Sequence, residues 1–213
     1  MQPALAESSL RSSVEPSMGS SFGSSLSSSG LTAPREATRS RFPTASFVEF
    51  TIGDITLETA DAIVNPAGPG LIDLAVRRKA GPELLDAFHL ATAGLSEGRL
   101  AAGQAVVTPG FDLRAGHIIH CGPPVYADGP EAARRDLVEC HKQILQLARA
   151  HRFTSVAIPA IGTGVYRYPV GEAAAVAVAA VVAELRASPA PLRVRFVLPN
   201  PSLRAAYAAA LPR

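Results

Sequence analysis

The chain has 213 residues, a formal net charge of +2 and 47% hydrophobic residues. Its length predicts one domain, or one domain with a tail, and a charge this close to neutral gives no reason to expect nucleic acid or a membrane surface as a partner. The two cysteines, Cys121 and Cys140, supply neither a disulfide framework nor a metal site, and no apolar run is long enough to span a bilayer. We therefore expect a cytoplasmic monomer that needs neither metal nor cofactor.

Residues 1–45 differ in composition from the rest of the chain. Serine dominates them, above all in the run SMGSSFGSSLSSSG at residues 17–30. Apolar residues are too sparse there to offset the conformational entropy that ordering would cost. We predict a disordered tail over residues 1–45 and a folded domain over residues 46–213. A transit peptide is the alternative that the arginines of this segment leave open, although its glutamates weigh against it.

From residue 46 onward, short apolar runs alternate with longer amphipathic ones, which is typical of an α/β domain. We predict six strands, at residues 46–52, 62–65, 104–108, 117–121, 154–159 and 193–198. We predict helices at residues 71–90, with a break near Gly81 and Pro82, and at residues 131–150, 169–187 and 202–211. Apart from the two histidines, the runs VAIPA and HIIHC are apolar, as strands covered by helices on both faces should be. The pattern therefore predicts a sheet between two helix layers, a three-layer α/β/α fold.

The most informative stretch is VAIPAIGTGVYRYPVG, at residues 156–171. It predicts a buried strand, a turn in which Gly162 and Gly164 flank Thr163, and a helix that opens at Pro169. Glycines let backbone amides approach a ligand closely, and amides near a helix N-terminus suit a phosphate or diphosphate. A plain strand-to-helix turn explains the glycines equally well, so the stretch does not decide the function by itself.

Further segments accompany this turn in a recognisable order. They are GDIT at residues 53–56, DAIVN at 61–65, Asp73 followed by Gly81, AVVTPGFDLRAGHIIHCGP at 105–123 and IPAIGTGVYRYP at 158–169. In this order they resemble the macrodomain family, whose members bind ADP-ribose, and the resemblance covers roughly residues 46–211. It implies a central mixed six-stranded sheet with helices on both faces and a ligand cleft along one edge.

The resemblance also implies a role for individual residues. Asp54 and Ile55 would contact adenine, and Asn65 would hold the distal ribose. A capping or turn role is the alternative for Asp54, since aspartate is common in turns. The second loop would contribute the diphosphate contacts, through the backbone amides of Gly162, Thr163, Gly164 and Val165, and would place the ring of Tyr166 beside the distal ribose.

The chain departs from the family's pattern after Asn65. Gly68 stands where the family has a second asparagine, and the glycine-rich loop that follows is several residues shorter. Asp73 keeps its interval to Gly81 and has two interpretations. It could act as a general base that activates a water for attack at the ribose C1″ atom, or it could cap a helix that starts at Leu74.

The sequence thus leaves three functions to compare. The favoured one is binding of ADP-ribose, free or attached to a protein. The alternative is an ADP-ribosyl hydrolase or O-acetyl-ADP-ribose deacetylase that uses Asp73 and a water positioned by the diphosphate. A generic phosphate-binding module is the third, and Asp54 weighs against it because such a module needs no acceptor for adenine.

Overall fold

The computed structural model describes residues 38–41 and 46–212. Their strands form one mixed sheet in the order β1-β2-β7-β6-β3-β5-β4. Strands β2, β7, β6, β3 and β5 run parallel, whereas β1 and β4 pair antiparallel to their neighbours at the two edges. The strands are β1 Thr38–Arg41, β2 Phe47–Ile52, β3 Ala62–Pro66, β4 Ala105–Pro109, β5 His117–Cys121, β6 Ser155–Ile158 and β7 Arg193–Leu198.

All six predicted strands are present, and β1 adds a seventh at the edge beside β2. Its sequence, TRSR, contains no apolar residue, so it gives no periodic signal by which a strand could be recognised. This strand lies within residues 1–45, which the composition assigns to a tail. The other residues of that segment lie outside the described part of the chain.

In residues 46–212, five α-helices cover the sheet. They are α1 Leu71–Ala80, α2 Glu83–Thr92, α3 Pro130–Ala150, α4 Val170–Ala187 and α5 Pro201–Ala209. The predicted break near Gly81 is confirmed, since it separates α1 from α2, and Gly81 has a φ of 94° that favours glycine. No helix among the described residues is long and apolar enough to cross a membrane.

Two hydrophobic clusters show that helices pack on both faces of the sheet. On β3, Ala62 and Val64 belong to the larger cluster, with residues of α3, α4 and α5, whereas Ile63 belongs to the smaller one, with residues of α1 and α2. Successive strand residues point to opposite faces, so the strand contributes to both cores. The three-layer α/β/α fold predicted from the sequence is therefore confirmed.

Candidate functional site

A cleft of about 830 Å³ opens at one edge of the sheet. Its walls come from the segments that follow β2, β3, β6 and β7, which are parallel neighbours whose carboxyl ends therefore meet at one edge. Ligands of open α/β sheets bind at such carboxyl ends. Asp54 and Thr163, for both of which the resemblance implies ligand contacts, line this one cleft. Ile55 and residues 162–166 line it as well.

Asp54 marks one end of the cleft, directly after β2. Its Oδ1 atom accepts hydrogen bonds from the backbone nitrogen of Thr56 at 2.9 Å and from the Thr56 hydroxyl at 2.8 Å. It thereby caps the short 3₁₀ turn Ile55–Leu57. Its Oδ2 atom accepts no hydrogen bond from the part of the chain that the structure describes, and the residue is exposed. Capping and ligand binding are thus compatible, because each uses a different oxygen.

The turn at residues 162–166 supplies backbone donors at another part of the cleft. Gly162 has a φ of 83°, and its carbonyl oxygen accepts from the backbone nitrogen of Tyr168 at 3.0 Å. The carbonyl of Gly164 likewise accepts from the nitrogen of Arg167 at 3.0 Å. The amides of residues 162–166 themselves donate no hydrogen bond to any described residue. A row of unpaired amides of this kind suits an anion.

The N-terminus of α1 adjoins this turn. Gly70 is the N-cap of the helix, without a side-chain capping bond, and a Cβ atom at Gly70 would lie 4.0 Å from the side chain of Val165. The first amides of a helix lack intrahelical partners, so this end carries partial positive charge. The prediction that Asp73 caps a helix starting at Leu74 is wrong, because α1 already begins at Leu71.

Asn65 and Asp73, for which the resemblance implies ligand contact and catalysis, do not line the cleft, although they contact each other. Both side chains are buried, and the Asn65 Nδ2 atom donates to the Asp73 Oδ1 atom at 2.7 Å. The other carboxylate oxygen, Oδ2, accepts from the Arg77 Nε atom at 2.6 Å. Each oxygen of Asp73 therefore has a partner already. Pro66, which follows Asn65, does line the cleft, so the pair lies close behind its wall.

Two further residues of this polar cluster, Arg77 and His120, were not predicted from the sequence. Arg77 could have been found, because it lies one helical turn after Asp73 and residues four apart share a helix face. His120, which the structure places 3.1 Å from the Asn65 Nδ2 atom, lies three residues after His117 on β5, and the sequence offered it no partner. Burial, and secondarily the charge of Arg77, lower the pKa of His120 to about 3. His120 is therefore neutral at physiological pH.

Tyr166 occupies the space that Gly68 leaves open. A Cβ atom at position 68 would lie 2.3 Å from the Tyr166 hydroxyl oxygen, so only glycine fits beside this tyrosine. The pKa of Tyr166 is raised by burial and by the Asp73 carboxylate, while Arg99 opposes the shift. The departure from the family's pattern at Gly68 thus coincides with a tyrosine hydroxyl in the electrostatic field of Asp73.

The fold and the cleft define a three-layer α/β/α domain with donors suited to a phosphate-containing ligand at the sheet edge. The chain belongs to the macro domain family: the family model described as Macro domain matches residues 64–177. A relative from Enterobacter sp. (strain 638), named O-acetyl-ADP-ribose deacetylase, is 41% identical over 155 residues, which cover 70% of this chain and 85% of the relative.

Solved structures of macrodomains are similar as well. The Oceanobacillus iheyensis macrodomain with ADP has a TM-score of 0.77 and 31% identity, covering 82% of this chain and 94% of that one. The Trypanosoma brucei macrodomain in complex with ADP-ribose has a TM-score of 0.66 and 27% identity, covering 76% and 68%.

Proposed function

We propose that this protein binds ADP-ribose, free or attached to a protein, in the cleft at the sheet edge. The observation that carries the proposal is that a single cleft combines an open carboxylate oxygen on Asp54 with the unpaired amides of residues 162–166. The oxygen can accept from the adenine amino group, and the amides can donate to a diphosphate. The similar macrodomains from Oceanobacillus iheyensis and Trypanosoma brucei were solved with ADP and with ADP-ribose, which supports the same ligand class.

Titration with ADP-ribose tests this proposal. A ligand that binds only the folded state adds about 2.7 kcal/mol to the free energy of unfolding when its concentration is 100 times Kd. We expect the thermal midpoint to rise with ADP-ribose, and isothermal calorimetry to give one binding site per chain. An unchanged midpoint at millimolar ADP-ribose, together with no heat of binding, would contradict the proposal.

We propose hydrolysis as a second function, because the similar Enterobacter protein is named O-acetyl-ADP-ribose deacetylase. Asp73 is the candidate catalytic residue. As a general base it would take a proton from a water that attacks either the acetyl carbonyl or the ribose C1″ atom. Both of its oxygens are bonded, to Asn65 and Arg77, so one of them must exchange its partner for the water during turnover.

Substitution of Asp73 separates binding from hydrolysis. Asp73→Asn keeps the shape of the side chain but removes the base, so we expect release of acetate or ADP-ribose to fall sharply while calorimetry still detects ADP-ribose. Arg77→Gln is the matched variant, since it leaves the base in place. Turnover by Asp73→Asn at the wild-type rate would remove Asp73 from the mechanism, whereas loss of binding would indicate a structural role instead.

We also propose that the protein is monomeric and cytoplasmic. Cys121 and Cys140 are buried free thiols, which is typical of proteins in a reducing compartment. Light scattering of the purified chain tests the first statement, and imaging of the tagged full chain in cells tests the second.

A further inference from the structure

A buried polar chain runs from β4 to α1 behind the wall of the cleft. Asn65 on β3 and His120 on β5 are aligned partners of the two parallel strands, and their side chains are 3.1 Å apart from Nδ2 to Nδ1. The His120 Nε2 atom lies 2.9 Å from the hydroxyl of Thr108 on β4. Thr108, His120, Asn65 and Asp73 are all buried, so these bonds face no competition from bulk water.

Donor and acceptor counting fixes the orientation of each group in this chain. The Asn65 Nδ2 atom can only donate, and its two hydrogens go to Asp73 Oδ1 and to His120 Nδ1. The neutral His120 ring must therefore accept at Nδ1 and carry its proton on Nε2, from where it donates to the Thr108 hydroxyl. That hydroxyl passes its own hydrogen to the carbonyl oxygen of Pro109, at 3.2 Å.

One acceptor in this polar chain, the carboxamide oxygen of Asn65, has no donor within it. The Asn65 Oδ1 atom is buried and has no hydrogen-bond partner among the described residues. Rotating the carboxamide by half a turn would not help, because the Asn65 Oδ1 atom would then face the Asp73 Oδ1 atom, which can also only accept. A buried polar atom without a partner is uncommon and calls for an explanation. Here the chain itself holds the oxygen unpaired.

The packing around His120 keeps its ring in place. The ring of Phe88, on α2, meets the His120 ring edge to face, with 4.9 Å between the ring centres. The Arg77 guanidinium lies 5.7 Å from the centre of the same phenyl ring while it also pairs with Asp73. Helices α1 and α2 thus hold the polar chain at Asp73 and at the His120 ring.

We propose that His120 and Thr108 are positioning residues: they hold the Asn65 carboxamide oxygen unpaired behind Pro66, where it accepts from a hydroxyl of the distal ribose once the bound ligand opens this part of the cleft wall. This inference rests on the proposed function. It assigns part of the affinity for the distal ribose of ADP-ribose to two residues that lie behind the cleft wall. ADP lacks the second ribose, so its contacts with Asp54 and with residues 162–166 do not depend on the Asn65 orientation.

The affinities for ADP-ribose and ADP, measured by calorimetry on the same variants, test the proposal. Thr108→Val removes the acceptor for His120 but keeps the shape, and Thr108→Ser is the matched control that keeps the hydroxyl. His120→Leu removes both bonds of the ring, and His120→Asn restores an acceptor facing Asn65. We expect Thr108→Val and His120→Leu to weaken ADP-ribose binding by about three- to tenfold, the range for one neutral hydrogen bond, with ADP unaffected.

Several outcomes would overturn the inference. If both ligands weaken equally, Thr108 and His120 support only the fold, and if neither weakens, the Asn65 orientation does not depend on them. If the wild-type protein binds no ADP-ribose, the proposed function itself is wrong, and the roles of His120 and Thr108 in ribose binding are wrong with it. Should the variants not fold, the imidazole nitrogen and carbon shifts of wild-type His120 give an independent answer. We expect the Nε2-protonated tautomer, and the Nδ1-protonated form would contradict the proposal.

Discussion

Replacing Gly68 by alanine should displace Tyr166 and reduce ADP-ribose affinity. The new Cβ atom would stand 2.3 Å from the tyrosine hydroxyl oxygen, whereas real Cβ atoms essentially never approach another atom below 3.0 Å, so that oxygen must move by at least the 0.7 Å difference. Overpacking of this kind costs about 1 kcal/mol or more. The next ring atom, Cζ, lies at 3.5 Å, which is an ordinary contact. Removing the hydroxyl should therefore relieve the collision.

A double-mutant cycle measures this collision. We expect Gly68→Ala to lower the free energy of unfolding in urea by about 1 kcal/mol or more, and Gly68→Ala with Tyr166→Phe to recover part of the loss. Recovery stays partial because Gly68 has a φ of 155°, which strains any side chain-bearing residue. Calorimetry with ADP-ribose on the same four proteins reports whether the affinity follows. Strictly additive effects of the two substitutions would refute the proposed packing of Tyr166 against Gly68.

Three further results are expected. Asp54→Ala should lower the free energy of unfolding by about 1 kcal/mol, because the cap on Thr56 is lost, and should also weaken ADP-ribose binding. Asp54→Ser can still cap, so it should weaken the binding alone. Folded variants that bind ADP-ribose as tightly as the wild-type protein would argue against the adenine contact. Gly164→Val should weaken ADP-ribose binding, because the residue lines the cleft. It should not lower the free energy of unfolding, because a Cβ atom at this position meets nothing within 4 Å. An unchanged affinity would place the ligand elsewhere. Burial lowers the pKa of His120 to about 3 and that of His141 to about 4, so below pH 6.5 the unfolded chain binds protons that the folded chain does not. As the pH falls, the free energy of unfolding should therefore decrease by up to about 1.4 kcal/mol per pH unit for each histidine. Urea midpoints that stay constant from pH 7 to pH 5 would contradict this.

The sequence predicts the layers of the fold because local signals decide them. Largely apolar runs such as that of β5 mark strands covered on both faces. Leu137 and Ile144, which recur at helical spacing on α3, are both buried in the core. Strand β1 could not be predicted, because it is formed by backbone pairing with β2 and its polar residues give no sequence signal for that pairing.

In the candidate site, too, the sequence predicts which loops meet but not the contacts that depend on three-dimensional packing. Loops at the carboxyl ends of parallel strands must meet, so the sequence order already brings Asp54 and Thr163 to one cleft. The partners of Asp73 could not be predicted in full, because the bond between Asn65 and His120 joins residues 55 apart whose alignment depends on the register of β3 and β5. The contact between Tyr166 and Gly68 depends in the same way on three-dimensional packing.

Backbone amide shifts of the labelled protein during an ADP-ribose titration show whether one ligand occupies the whole cleft. If one ligand spans the cleft, the amides of residues 53–55 and of residues 162–166 should shift together, with the same midpoint, because both segments line it. Shifts confined to one of these segments, or centred on residues outside the cleft, would contradict the binding of one ADP-ribose molecule along the whole cleft.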